Sequence, residues 1–296
     1  MAEPQGNREH KDRLFLKVFE DKEALLSLYN AVNGSDYENP EELEITTLDN
    51  VLYMRMKNDL SFLIDGSLNF YEHQSTFNPN MPLRGCFYMV KVYQEYVERR
   101  QLDIYSSTRL TLPTPRFIVF YNGTDRMKHM PELTLKLSDS FEKQEEEPAL
   151  ECKARVININ YGFNTEIMEK CPKLYEYSFL ISKIREGTAQ GKKLEAAIGA
   201  AIDICIEEGI LTDLLTSYRM EVIGMLLTEY DEERHLKNTY EEGVKKGQKK
   251  GESIGEFRQL YKLIQKNFLT LHDAASANSM TEEQLVATFK KYGITK

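Results

Sequence analysis

The chain has 296 residues, 41% of them hydrophobic and 29% charged, which is enough for one sizeable packed domain and a smaller one without staples. The formal net charge of −9 argues against a wholly basic nucleic-acid binder, although an acidic chain can still own a local basic groove. Four cysteines without a C-x-x-C pair, a polar N-terminus without an apolar leader and no apolar run near the roughly 20 residues of a membrane span exclude a disulfide scaffold and a spanning helix, and predict a cytoplasmic protein with no membrane partner.

In chain order, KDRLFLKVFEDKEALLSLYNAV places Leu14, Phe15, Val18, Phe19, Leu25, Leu28 and Tyr29 at helical spacing, and predicts one or two helices on an apolar partner. NGSDYENPEE is a loop, and EITTLDNVLYMR predicts a strand. KNDLSFLIDGSLNFYEHQST joins two apolar runs through Asp65-Gly66, a strong hairpin signal because a type I′ turn needs positive φ at both central residues. GCFYMVKVYQEYVERR then reads as an amphipathic helix. Phe117 to Tyr121 and ARVININYG read as strands, and EKQEEEPALE as an acidic solvated loop. The order predicts a mixed sheet flanked by helices.

Residues 163 to 240 are helical in pattern, with Pro172 starting or kinking one helix. Gly243, Gly247, Gly251 and Gly255 then recur every four residues. They fit either a helix that packs closely on a partner chain or a pliable linker, since each interior glycine costs a helix about 1 kcal/mol. The last segment reads as helix, short helix, turn, helix, with Thr281 and Gln284 in an N-terminal capping pattern. Such a module serves as a helical cap or as a DNA-reading helix-turn-helix.

The hairpin carries the chemistry. With Asp65-Gly66 as the turn, Ile64 faces Ser67, Phe62 faces Asn69, Leu60 faces Tyr71, and Asp59 faces Glu72. Opposed residues on one face have Cβ atoms about 4.5–5.5 Å apart, and two like charges placed so destabilise a sheet. A Gly66-Ser67 turn would slide the register by one and leave Glu72 diagonal to Asp59. Either one acid is protonated, or a cation lies between them; a hard divalent ion with oxygen ligands suits that gap. Gln74 shares the face of Glu72, whereas His73 points the other way and can offer only its backbone carbonyl. Isolated strand-end acids of this kind are usually solvated. No HExxH, G-x-S-x-G or phosphate-binding loop accompanies them.

KDRLFLKVF, YMRMKNDLSFLID, YEHQSTFNPNMPLR, LPTPRFIVFYNGT and VININYG, in this order over residues 10 to 240, resemble the PD-(D/E)XK nuclease superfamily. The closer resemblance is to its bacterial branch of nuclease family transposases, or recombination-promoting nucleases. The resemblance implies an α/β fold with a restriction-endonuclease-like core (helix, three strands, helix, strand) and an all-α C-terminal extension. It implies Mg²⁺-dependent DNA cleavage, with Mn²⁺ able to substitute. The family's acids map onto Asp59 and Glu72. The third position, usually Lys, is Gln74, a residue typical of the branch that can neither carry positive charge nor act as a base. The metal set it implies is Asp59, Glu72, the His73 backbone carbonyl and an acid of the first helix. Asp12 is the preferred acid and Glu20 its rival, and Asp12 is equally well read as a helix N-cap. Arg84 and Tyr88, one turn apart, are candidates for contacting phosphate, and Lys57 with Arg55 for local positive potential; each residue type is common on any surface.

The expected organisation is a nuclease-like domain over 1–165, a helical extension over 166–240, the glycine-spaced helix or linker over 241–256 and a small helical module over 257–296. The expected function is a metal-dependent DNA endonuclease, forming a homo-oligomer, in recombination, transposition-like events or defence. The alternative is a catalytically weak or inactive nuclease-fold DNA-binding module that oligomerises through its helical C-terminal region.

Overall fold

The computed structural model describes residues 13–46, 60–124, 126–127 and 129–294. The predicted N-terminal helical stretch forms two helices, α1 (Arg13–Val18) and α2 (Lys22–Asn33). The side chain of Asp21 accepts from the Glu23 and Ala24 N–H groups and starts α2, and Gly34 at φ 67° ends it in the left-handed region where a side chain is costly. Of the strand predicted at 44–55, β1 (Glu44–Ile45) is described.

Asp65 (φ 44°) and Gly66 (φ 68°) make the turn between β2 (Leu60–Ile64) and β3 (Ser67–Gln74). Ile64 pairs with Ser67, Phe62 with Asn69 and Leu60 with Tyr71, so the first of the two sequence registers is the one adopted. Tyr37 donates a 2.6 Å hydrogen bond to Asp65, which pushes its phenol up to about 12 and ties the turn to the loop after α2.

A helix, α3 (Met81–Arg99), follows and returns the chain to β4 (Thr114–Tyr121), parallel to β3. Two further strands complete the sheet, β5 (Glu132–Lys136) and β6 (Lys153–Asn158). The order is β1-β2-β3-β4-β6-β5, with β3, β4 and β6 mutually parallel and the other pairs antiparallel. The sequence reading passed over β5. Its ELTLK alternates in period two, but an edge strand half-buries only Leu133 and Leu135, so its apolar signal is thin.

Period-two alternation divides the core. Leu68, Phe70, Phe117 and Val119 pack with Tyr88 and Val92 of α3 on one face. Tyr71, Ile118, Phe120 and Ile157 pack on the other with α1, α2 and the later helices. Those helices are α4 (Thr165–Lys170), α5 (Pro172–Ala189, with Pro172 in its first turn), α6 (Leu194–Glu207) and α7 (Thr212–Ser217). Leu174, Tyr177, Leu180 and Ile184 of α5 belong to the same buried cluster as Phe15 and Phe120.

α3 lies close to the sheet at Gly85, where an added Cβ would come within 2.3 Å of the Phe117 ring. Gly85→Ala is therefore expected to lower stability by about 1–3 kcal/mol through overpacking, read as a shift of the urea midpoint with an unchanged slope.

All four cysteines are free thiols and buried. Burial pushes Cys152 and Cys205 up to about 12, so the native protein keeps protons that the unfolded chain releases near about 8.5. Their stabilisation is complete below that value and is lost as pH climbs from about 8.5 towards 12. Urea midpoints measured from pH 7 to 11 are expected to fall less steeply in a Cys152→Ala/Cys205→Ala variant than in the wild type.

The chain divides into two compact units, residues 1–233 and 234–296. One helix, α8 (Arg219–Gln265), runs from the first into the second, so the glycine-spaced segment is helical, with open space around each of the four glycines. In the second unit α9 (Leu271–Ala277) and α10 (Glu282–Lys291) bury Ala274, Ala275, Leu285 and Phe289 against Phe257 and Tyr261 of α8. Thr281 and Gln284 form the capping box that the sequence pattern predicts. Among the described residues, no helix is long and apolar enough to cross a membrane.

Candidate active site

β3, β4 and β6 run parallel, so their carboxyl ends share one edge of the sheet, the usual place for a site in such sheets. Glu72 and Gln74 lie at that end of β3, on the face covered by α3. Glu72 is 1% exposed, and a carboxylate taken that far from water needs a cationic or hydrogen-bonding partner. Arg84, in the first turn of α3, supplies one: its Nη2 lies 3.1 Å from Glu72 Oε2.

The same guanidinium donates to Tyr88 Oη from Nη2 (2.8 Å) and Nε (3.2 Å), because residues four apart on a helix share a face. With the Gln74 amide oriented by its partners, its oxygen accepts from Arg84 Nη1 at 2.9 Å and its nitrogen donates to the Thr76 carbonyl at 3.2 Å. Glu72, Gln74, Arg84 and Tyr88 are thus one connected network. The buried Glu72 carboxylate is paired in it with a guanidinium whose side chain is 33% exposed.

His73 faces the opposite way, as alternation requires. It is fully buried, stacks on Phe15 at 4.8 Å and 16°, and its Nε2 lies 2.9 Å from Tyr177 Oη. The Gln74 carbonyl accepts from the Asn122 N–H just past the end of β4. Asp59, Lys57 and Asp12, with Arg55, lie outside the described residues. Glu20, the rival to Asp12, is exposed and 2.7 Å from Lys17.

The oxygen donors on β3 have the hardness that Mg²⁺ or Mn²⁺ prefers. Among the described residues, no three His, Cys, Asp or Glu side chains converge to hold an ion. Of the candidate ligand side chains, Glu72 is described at this strand end, and Asp59 and Asp12 lie outside the described residues.

Sequence reasoning missed the polar cluster at the ends of β4 and β6. Asn122 Nδ2 donates to Tyr177 Oη at 3.1 Å, and Asn160 Nδ2 donates to the Gly123 carbonyl at 2.9 Å. Arg185 of α5 donates to both Asn160 Oδ1 and the Asn122 carbonyl. Gly123 packs so tightly that an added Cβ would come within 2.3 Å of the Ser75 carbonyl oxygen. The available signal was the asparagine just past each strand end, Asn122 in FYNGT and Asn160 in NINYG.

Scans of the chain against protein-family models, curated proteins and solved structures return no match.

Proposed function

We propose that this protein is a divalent-metal-dependent DNA endonuclease with a restriction-endonuclease-like core, hydrolysing phosphodiester bonds in recombination, transposition-like events or defence against foreign DNA. The observation that carries the proposal is the buried Glu72, held by Arg84 and followed two residues later by Gln74, at the carboxyl end of β3 in a hairpin of the predicted register. The succession of helix, strands, α3 crossover and parallel β4 supports the same reading, since it is the core order the resemblance implies.

Glu72, Asp59, the His73 carbonyl and Asp12 are the groups that would hold Mg²⁺ or Mn²⁺. Bound there, such an ion supplies Lewis-acid polarisation of the phosphoryl oxygen and a water of lowered pKa. The chain's own residues do the rest. Arg84 fixes the Glu72 carboxylate in one orientation and adds positive potential where phosphate charge must be accepted. Tyr88 holds the guanidinium plane. Gln74 takes no proton in this scheme; its amide orients an oxygen.

Purified wild type is expected to nick supercoiled plasmid in Mg²⁺ or Mn²⁺ and not in EDTA, and Asp59→Ala to lose that activity. Absence of nicking by the wild type with any divalent ion, or equal nicking by Asp59→Ala, would overturn the assignment.

One observation favours the second reading, a nuclease-fold DNA-binding module without useful catalysis that oligomerises through its helical C-terminal region. Arg84 already provides Glu72 with a cation, so charge balance on β3 does not demand a metal. That reading predicts DNA binding without nicking.

A further inference from the structure

The two units carry opposite charge. Residues 234–296 hold twelve Lys and Arg against seven Asp and Glu, a formal +5, which leaves −14 on residues 1–233 of a chain at −9. A basic folded module on an acidic chain is an electrostatic footprint for a polyanion.

The distribution within the module says how it would bind. Lys245, Lys246 and Lys249, and farther along Arg258 and Lys262, are exposed on α8, and Lys266 is exposed directly after its last residue. Arg258 and Lys262 are four residues apart and share one face of α8, and Lys266 continues that spacing just past the helix end. α9, the turn at residues 278–281 and α10 have the outline of a helix-turn-helix, in which base edges are read by the start of the second helix. Here that start is acidic: Glu282 and Glu283 open α10, and Glu282 lies 3.1 Å from His272 Nδ1. An acidic pair facing a duplex repels its phosphates, so α10 is unsuited to enter a groove. Lys290 and Lys291 lie at the opposite end of α10 from that acidic start, and the basic side chains named above lie on α8 or directly after it; lysines on a helix face contact backbone phosphate without reading sequence.

We propose that the second unit binds the phosphate backbone of duplex DNA through the basic face of α8, independently of base sequence, and so holds the substrate for the acidic first unit. The proposal rests on the nuclease reading only for the identity of the polymer; its test requires no cleavage.

The test uses the full-length protein in EDTA, with fluorescence anisotropy on two uncut duplexes of unrelated sequence over a salt series. Two variants are compared with the wild type: Lys245→Ala/Lys246→Ala/Lys249→Ala and Arg258→Ala/Lys262→Ala/Lys266→Ala. Alanine at exposed helical positions preserves the helix, and circular dichroism checks this. The wild type is expected to bind both duplexes equally. Each triple variant is expected to bind on the order of tenfold more weakly, with a salt slope flatter by up to about 0.9 per residue removed. Undiminished affinity in both variants, or a preference for one duplex that the substitutions abolish, would overturn the proposal. So would a loss confined to self-association in sedimentation, which would assign the basic face to the acidic unit of a second copy. Loss of nicking in Glu72→Gln with DNA binding intact separates failure of catalysis from failure of this proposal.

Discussion

Glu72→Gln is expected to cut metal-dependent plasmid nicking by about 100-fold or more, because in the proposed endonuclease it removes a carboxylate that would ligate the ion while keeping the side chain's shape. The variant should nevertheless fold. Arg84 loses the Glu72 carboxylate, but its side chain is 33% exposed and keeps Tyr88 as an acceptor. The complementary change costs more stability. Arg84→Met takes the guanidinium from a carboxylate whose side chain is 2% exposed. Removing one partner of a buried ion pair typically costs about 3–5 kcal/mol. Chemical denaturation of both variants is therefore expected to give the larger shift for Arg84→Met, and the nicking assay a profound loss for Glu72→Gln. Comparable stability loss in the two would indicate that burial of Glu72 is not what sets the cost.

Phe15→Ala is the core substitution expected to be most damaging. Its ring touches Phe19 at 4.8 Å, His73 at 4.8 Å, Phe120 at 5.3 Å and Tyr177 at 5.5 Å, and the residue is 1% exposed. Removing it opens a cavity where α1, α5 and the sheet meet, at a cost of about 3–5 kcal/mol. The loss should propagate to the site. His73 neighbours Glu72 on β3, and the Phe15 ring together with Tyr177 clamps the imidazole from the far side of the sheet. A urea midpoint shift of that size is expected, with a loss of nicking larger than the change in folded population explains. A shift below about 1 kcal/mol would mean that the surrounding rings collapse into the space.

Much of the site's frame was legible in the sequence because the signals were local. Asp65-Gly66 demanded a turn with two positive φ angles, and that turn alone fixed which residues of β2 and β3 face one another. Alternation then placed Glu72 with Gln74 and sent His73 to the other face. Pro172 as a helix start, and Thr281 with Gln284 as a capping box, were local in the same sense.

What stayed hidden depends on contacts distant in the chain. The Glu72–Arg84 pair joins a strand to a helix twelve residues on, and neither residue alone says whether the guanidinium turns inward or towards solvent. Tyr177 meets His73 across 104 residues of sequence, and Arg185 reaches Asn122 across 63. Nothing in a helical stretch such as KLYEYSFLISKIRE marks one tyrosine or arginine as a partner for strand ends. β5 was hidden for a different reason. An edge strand that half-buries two leucines offers too little apolar contrast to stand out from a loop.

In the proposed endonuclease, Glu72 and Asp59 together hold one divalent ion. Calorimetric titration of Mn²⁺ and Mg²⁺ into the full-length wild type, Glu72→Gln and Asp59→Asn tests it most directly, with circular dichroism confirming that all three are folded. Saturable binding by the wild type and its loss in both variants is the predicted result. A wild type that takes up neither ion, or variants that bind as the wild type does, would contradict it.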